Sequence, residues 1–96
     1  MINQIEGTKF RLFCSIQKGS SPLFFQWSKN DHILNSKPEV NYKIETSEEL
    51  SIISIASVHR SDSGNYSCFV RNAFGTDSQN VVLNVRGIKF SFVSKV

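Results

Sequence analysis

The chain has 96 residues, of which 40% are hydrophobic and 20% are charged, and its formal net charge at pH 7 is +3. This length is sufficient for one domain and too short for two, and the moderate charge content argues against an intrinsically disordered protein. The basic residues are scattered along the sequence rather than clustered among aromatic ones, so no nucleic-acid-binding surface is predicted.

Alternating hydrophobic and polar residues predict β-strands along most of the chain. The first clear pattern covers residues 9–17, and turn-forming segments such as GSSP, SKND, NSKP and AFGTDS separate the patterns that follow. The segment VHRSDS predicts one helical turn at most. Seven or eight short strands of this kind are typical of an antiparallel β sandwich or barrel. The later strands are predicted near residues 23–27, 32–34, 40–46, 49–55, 65–72 and 80–85.

The two cysteines, Cys14 and Cys68, lie 54 positions apart. This spacing fits no Cys-x-x-Cys metal site, and only two histidines are available to complete one. One long-range disulfide is the economical interpretation, and a loop of this length is worth roughly 4 kcal/mol in the chain-entropy model. Such a bond favours an oxidising, extracellular environment. Two buried free thiols in a cytosolic domain are the alternative.

A distinctive order of residues follows the first cysteine. Cys14 is followed by Trp27 and then by the run Asp62-x-Gly64-x-Tyr66-x-Cys68. This order resembles the immunoglobulin fold. The resemblance implies a disulfide that joins two sheets, a tryptophan packed on it, and a tyrosine corner in which the phenolic hydroxyl bonds to the backbone upstream.

The resemblance also implies roles for the two residues that precede this tyrosine. Gly64 would let the chain turn tightly into its strand. Asp62 would pair with a basic residue near the fourth strand, for which Lys43 and Lys37 are the candidates.

A finer pattern is similar to the I-set of immunoglobulin domains. Ile53-x-Ile55-x-x-Val58 precedes the aspartate, Cys68-x-Val70-x-Asn72-x-x-Gly75 contains the second cysteine, and Leu83-x-Val85 closes the last strand. The segment EGTKFRLFCSIQKGSSPLFFQWSKN is similar to domains of Down syndrome cell adhesion molecules (Dscam), which carry a comparable KG-x-SP segment. We therefore predict one I-set domain over residues 1–87, with a short or truncated first strand, and a tail or linker over 88–96.

Catalysis is not expected. His32 and His59 have no nucleophile spaced to pair with them, and His59, Ser61 and Asp62 are too close together in one turn to converge on a substrate atom. No phosphate-binding glycine loop and no set of metal ligands occurs in the sequence. We expect no cofactor.

Strand alternation predicts hydrophobic residues on both outer faces of the sandwich. If Cys14 points inward, Phe13 points outward, and Leu50 and Ile52 share its sheet. Phe24, Phe69 and Val82 would lie on the opposite face. Resemblance to Dscam favours the first patch, because variable domains of that family pair antiparallel through this sheet. We expect the flanking interface residues to be Lys9, Arg11, Ser15, Lys43 and Ser54.

The leading functional hypothesis is a cell-surface adhesion module that recognises a copy of itself, next to neighbouring immunoglobulin domains in a longer single-pass membrane protein. Met1 runs directly into polar sequence, so we interpret the chain as a fragment. The alternatives are a structural spacer repeat and a receptor domain that binds a different ligand. Asn65-Tyr66-Ser67 is an N-glycosylation pattern, and alternation predicts an exposed Asn65.

Overall fold

A computed structural model describes residues 1–16, 22–35, 37 and 39–87. The predicted tail and most of the KG-x-SP segment lie outside these residues. One short 3-10 turn, Arg60–Asp62, precedes the long pair of strands at the end of the chain. The strands are β1 (Ile2–Ile5), β2 (Phe10–Ser15), β3 (Phe24–Lys29), β4 (His32–Ile33), β5 (Tyr42–Thr46), β6 (Leu50–Ile55), β7 (Gly64–Asn72) and β8 (Gly75–Arg86).

The strands form two sheets. The larger sheet has the order β1-β8-β7-β3-β4, and the smaller has the order β2-β6-β5. The short first strand, β1, pairs in parallel with β8, from Ile2 opposite Leu83 to Ile5 opposite Arg86, whereas all other neighbouring strands are antiparallel. The architecture confirms the predicted two-sheet β sandwich.

A disulfide joins the two sheets at the centre of the core. It links Cys14 of β2 to Cys68 of β7, with 6.4 Å between the two Cα atoms, as the resemblance implied. Trp27 lies beside it, because this residue is the register partner of Cys68 on the neighbouring strand. The core consists of inward-facing strand residues together with Val58, which follows β6: Phe10, Cys14, Trp27, Ile53, Ile55, Val58, Tyr66, Cys68, Val70, Leu83 and Val85.

A polar bond crosses the core beside the tryptophan. The indole Nε1–H of Trp27 donates to Ser51 Oγ at 2.8 Å, and the same hydroxyl lies 2.8 Å from Thr46 Oγ1. Ser51 is fully buried, so its hydroxyl satisfies an indole donor that would otherwise be desolvated without a partner. Sequence analysis did not single out this serine.

The tyrosine corner forms as the resemblance implied. Tyr66 Oη donates to the carbonyl oxygen of Asp62 at 2.6 Å. Burial, with a smaller contribution from the nearby carboxylate of Asp62, raises the pKa of Tyr66 to about 12. The bond therefore fixes the entry into β7, while burial keeps the phenol of Tyr66 in its neutral form.

The expected basic partner of Asp62 is replaced by an amide. Asn41 Nδ2 donates to both carboxylate oxygens, at 2.8 and 3.0 Å, and the backbone N–H of His59 donates to Oδ2 at 2.7 Å. Lys43 instead pairs with Glu45 on the outer face of its sheet. The prediction of Lys43 or Lys37 was therefore wrong, because β5 turns the Lys43 side chain away from the aspartate.

Gly64 serves a different purpose from the one implied by the resemblance. Its φ angle does not lie in the left-handed region, where Gly7 is the only glycine among the described residues. A Cβ atom on Gly64 would lie 3.0 Å from the Asn30 side chain and 3.0 Å from Lys29 Cε. The residue thus gives room to the β3–β4 hairpin, whose loop residues Asn30 and Asp31 have φ angles of 49° and 68°.

We expect the stability of the domain to fall steeply at high pH through Tyr66. An unfolded tyrosine ionises near pH 10, whereas the folded one does so near pH 12, so the neutral form stabilises the fold below pH 10 and this contribution is lost as the pH rises to 12. The loss should reach about 2–3 kcal/mol. Urea unfolding of the wild type, Tyr66→Phe and Tyr42→Phe over this range measures it. The loss between pH 10 and 12 should be smaller by about 2–3 kcal/mol in Tyr66→Phe and unchanged in Tyr42→Phe, and an unchanged loss in Tyr66→Phe would contradict the assignment.

Replacement of Ser51 by alanine should destabilise the domain. The variant leaves the buried indole N–H of Trp27 without an acceptor, which costs about 1–3 kcal/mol in free energy of unfolding. Ser54→Ala is the matched control, since Ser54 lies on the same strand but on its outer face, and its effect should stay within about 0.5 kcal/mol. Equal stabilities of the two variants in denaturant unfolding would argue against the cross-sheet bond.

Candidate interaction surface

The outer face of the three-stranded sheet carries a hydrophobic row at its centre. Phe13 of β2 is the register partner of Ile52 of β6, which in turn lies opposite Glu45 of β5. Phe13 is 62% exposed, whereas Ile52 is half-buried. An exposed phenylalanine beside a second hydrophobic side chain makes this row the apolar centre of the face.

The neighbouring rows bring the other predicted interface residues to the same face. Leu50 lies opposite Ser15 on one side of the central row, and Ser54 lies between Arg11 and Lys43 on the other. Lys9 is exposed and directly precedes β2. We call this face the Phe13 surface, and it comprises Phe13, Leu50, Ile52, Lys9, Arg11, Ser15, Lys43, Glu45 and Ser54.

The charges of the Phe13 surface lie at its rim. Lys43 Nζ is 3.2 Å from Glu45 Oε1, and both side chains are largely exposed, so this ion pair contributes little to stability. Arg11 has no ion-pair partner among the residues that the structure describes. The surface therefore combines an apolar centre with a mixed but predominantly basic rim.

A cleft opens beside this surface, along the side of the sandwich. It has a volume of about 260 Å³ and lies between Leu12–Ser15 of β2 and Gln79–Val81 of β8. Trp27 and both disulfide cysteines form part of its lining. The two sheets are thus not sealed against each other along the middle of β2.

The second hydrophobic patch also assembles, on the outer face of the five-stranded sheet. Phe24, Phe69 and Val82 are 55%, 40% and 41% exposed. The guanidinium carbon of Arg71 lies 5.3 Å from the centre of the Phe24 ring, which is a cation–π distance. Arg71 therefore already covers part of this patch, whereas no such contact covers Phe13 within the described part of the chain.

Asn65 is half-buried and not exposed as alternation had predicted. Its backbone N–H donates to Asn30 Oδ1 at 2.9 Å and its carbonyl oxygen accepts from the backbone N–H of Asn30 at 2.9 Å, so the β3–β4 turn packs against it. Its own Oδ1 is buried and has no hydrogen-bond partner among the described residues. The long-range contact with Asn30 could not be read from local alternation.

The two histidines lie apart from each other, one in the turn before β7 and one in β4. His59 Nδ1 is 3.8 Å from the Asp62 carboxylate, which is already bonded to Asn41, and His32 lies in the short strand β4. Within residues 1–16, 22–35, 37 and 39–87, no group of three or more metal-binding side chains comes together. The helices of this part of the chain include none long and apolar enough to cross a membrane.

One exposed hydrophobic side chain was missed by sequence analysis. Phe74 is 84% exposed in the β7–β8 connection, which had been interpreted only as a turn. It contributes to a cavity of about 710 Å³ at the end of the sandwich, together with Ile16, Leu23 and Val70. A large hydrophobic residue within the turn-forming segment AFGTDS could have predicted this exposed side chain.

Comparison with known proteins identifies relatives in several classes. A sequence model of the immunoglobulin I-set domain matches residues 2–85. The chain is 36% identical over 73 residues to the chicken (Gallus gallus) cell adhesion molecule DSCAML1. This match covers 76% of the chain and 4% of DSCAML1. It is 31% identical over 86 residues to mouse (Mus musculus) myopalladin, and this match covers 90% of the chain and 6% of myopalladin. The chain thus spans a small fraction of these relatives.

A solved structure reproduces the arrangement of the strands. The crystal structure of the Dscam1 Ig7 domain, isoform 5, superposes with a TM-score of 0.80 at 25% sequence identity, and the match covers 85% of this chain and 83% of that one. The family model, the relatives and this structure agree with the resemblance drawn from the cysteines, the tryptophan and the tyrosine corner.

Proposed function

The chain belongs to the immunoglobulin I-set family, a family that is generally non-enzymatic, and from this premise we propose that it is a recognition module that binds a second copy of itself. The Phe13 surface is the proposed contact. The observation that carries the proposal is the 62% exposure of Phe13 at the centre of that face, next to Ile52. Relatives that are named cell adhesion molecules support the same function.

The layout of the Phe13 surface suits contact between identical copies. A two-fold axis brings the same patch together with itself, so an apolar centre meets an apolar centre and the polar rims remain hydrated. The rim carries both Lys43 and Glu45, and their opposite charges allow antiparallel copies to meet without purely repulsive contacts. This combination favours self-recognition in an antiparallel homodimer.

We place the domain outside the cell, within a longer single-pass membrane protein. The Cys14–Cys68 disulfide supports this placement, because such bonds persist in oxidising compartments. The parent chain would provide the membrane anchor and the neighbouring immunoglobulin domains. The proposed module uses no cofactor and binds no nucleic acid.

A structural repeat is the second candidate function. The similarity to an I-band fragment of titin favours it, because that fragment consists of consecutive immunoglobulin domains and superposes with a TM-score of 0.78 at 26% identity. A spacer of this kind would stay monomeric and would not depend on Phe13. A receptor domain with a different ligand would also stay monomeric by itself, and would be recognised by the loss of ligand binding after changes on one of the outer faces.

We further propose that Asn65 carries an N-linked glycan. The acceptor pattern Asn65-Tyr66-Ser67 supports it, and the register places Asn65 opposite Val82, so the sugar would cover the second hydrophobic patch and leave the Phe13 surface free. Protein secreted from eukaryotic cells should lose mass on treatment with an N-glycosidase. Asn65→Gln and Ser67→Ala should both abolish this loss, and an unmodified wild type would contradict the proposal.

Self-association is the decisive property of the proposed function. We expect a monomer–dimer equilibrium in sedimentation equilibrium between micromolar and near-millimolar concentrations. Phe13→Asp should weaken it by about 100-fold or more, because a two-fold contact centred on this residue brings two like charges directly together. Phe24→Asp is the matched control, since Phe24 has a similar exposure of 55% on the opposite face, and it should leave the equilibrium unchanged.

The alternatives predict different results in the same experiment. A monomer at all concentrations would overturn self-recognition and favour the spacer or receptor reading. A dimer that Phe24→Asp disrupts and Phe13→Asp does not would move the contact to the five-stranded sheet.

A further inference from the structure

The strand that carries Phe13 is also the edge of its sheet. Among the described residues, β6 is the only strand that pairs with β2. An edge strand presents a row of backbone N–H and C=O groups that can pair with another chain. The direction of these groups along β2 therefore decides what the edge can bind.

The hydrogen-bonding pattern of the sheet determines this direction. Ser47 N–H donates to Leu50 O at 2.8 Å, so these two residues form a hydrogen-bonded pair at the β5–β6 turn. Hydrogen-bonded and non-hydrogen-bonded pairs alternate along an antiparallel ladder, and the register of β5 and β6 continues without interruption. The backbone groups of the even-numbered residues of β6 therefore face β5, and those of the odd-numbered residues face β2.

The open edge then exposes the backbone of alternate residues of β2. Ser51, Ile53 and Ile55 bond to Cys14, Leu12 and Phe10, which are their register partners. Consequently the N–H and C=O groups of Arg11, Phe13 and Ser15 point away from β6. The side chains of these three residues belong to the Phe13 surface.

The space beside this edge is open. β1 covers β8 only from Leu83 to Arg86, and the cleft of about 260 Å³ lies beside the other half of β8, next to Leu12–Ser15. Another strand can thus approach β2 at Phe13 without displacing β1.

We propose that two copies of the chain pair edge to edge through β2, antiparallel and with the two-fold axis at Phe13, so that their three-stranded sheets form one continuous six-stranded sheet. The inference rests on the proposed self-recognition and specifies its geometry: the two Phe13 surfaces lie side by side on one continuous sheet, and the two Phe13 side chains meet at the two-fold axis. Phe13 would lie opposite Phe13 of the second copy, and Arg11 opposite Ser15. Inward-facing Leu12 of each copy would lie opposite Cys14 of the other and close the neighbouring cleft.

The register centred on Phe13 is favoured over those centred on Arg11 and Leu12. A register centred on Arg11 would place two arginines directly opposite each other, and like charges in that position are destabilising. A register centred on Leu12 would require the carbonyl oxygen of Lys9, which already accepts from Gln4 Nε2 at 2.9 Å. The register centred on Phe13 uses only outward N–H and C=O groups that have no partner among the described residues, and provides about six N–H···O bonds.

Amide hydrogen exchange measured by NMR tests this geometry directly. As the concentration is raised until about 90% of the protein is dimeric, exchange of the Arg11, Phe13 and Ser15 amides should slow about 10-fold, because these groups become bonded only in the dimer. The amides of Leu12 and Cys14 should change little, since they are already bonded to β6. Packing of the two faces against each other would not produce this alternation.

A proline substitution at the edge provides an independent test. Ser15→Pro removes an outward N–H and should leave the fold intact, because proline is tolerated on the free side of an edge strand. Each dimer would lose two hydrogen bonds, so the dimer dissociation constant should rise about 5- to 150-fold. Ser15→Ala retains the N–H and should change the constant less than about 2-fold. Thermal unfolding of both variants reports whether the domain is intact.

The outcomes separate this inference from the proposed function. A monomeric wild type would overturn both. A dimer that Phe13→Asp dissociates, but whose Arg11, Phe13 and Ser15 amides exchange as fast as in the monomer, would overturn the edge geometry and leave self-recognition through the Phe13 surface in place. Should Ser15→Pro fail to fold, the exchange experiment on the wild type still decides the geometry.

Discussion

The link between the two sheets at the centre of the core is the constraint on which the rest of the structure depends. The Cys14–Cys68 disulfide fixes the sheets covalently, and Trp27, the neighbour of Cys68 in the register, bonds through its indole to Ser51 of the opposite sheet. The disulfide and the Trp27–Ser51 hydrogen bond thus join the two sheets at neighbouring positions, since Cys14 and Ser51 are also register partners. The polar bond adds specificity to the covalent one, because the indole N–H has an acceptor only when β3 and β6 keep this alignment.

The same link determines the surface. Side chains alternate along a strand, so an inward Cys14 requires an outward Phe13, and an inward Ser51 requires an outward Ile52. The register then places these two outward residues opposite each other. A shift of β2 by one residue would move its inward hydrophobic side chains to the outer face and prevent the disulfide. The core therefore determines which side chains of β2 lie on the Phe13 surface.

The sequence was sufficient to predict features that depend on the alternation of hydrophobic residues and on the spacing between particular residues. Strand alternation, the cysteine pair and the position of Tyr66 before Cys68 predicted the sandwich, its disulfide and its tyrosine corner. The partners of Asp62 and Trp27 were not predictable, since Asn41 and Ser51 are brought close only by the three-dimensional arrangement of the strands. The half-burial of Asn65 likewise arises from the turn at Asn30, a contact between residues that are distant in the sequence.

The two edges of the three-stranded sheet differ in a way that favours a closed pair over an open-ended assembly. β5, at one edge, carries the charged side chains of Lys43 and Glu45 on its outer face, and charges on an edge strand discourage pairing with another chain. β2, at the other edge, has Phe13 at its centre and Arg11 towards one end. An antiparallel pair centred on Phe13 keeps Arg11 of one copy away from Arg11 of the other. It also pairs the two β2 edges with each other, so the charged β5 strands form both ends of the continuous sheet.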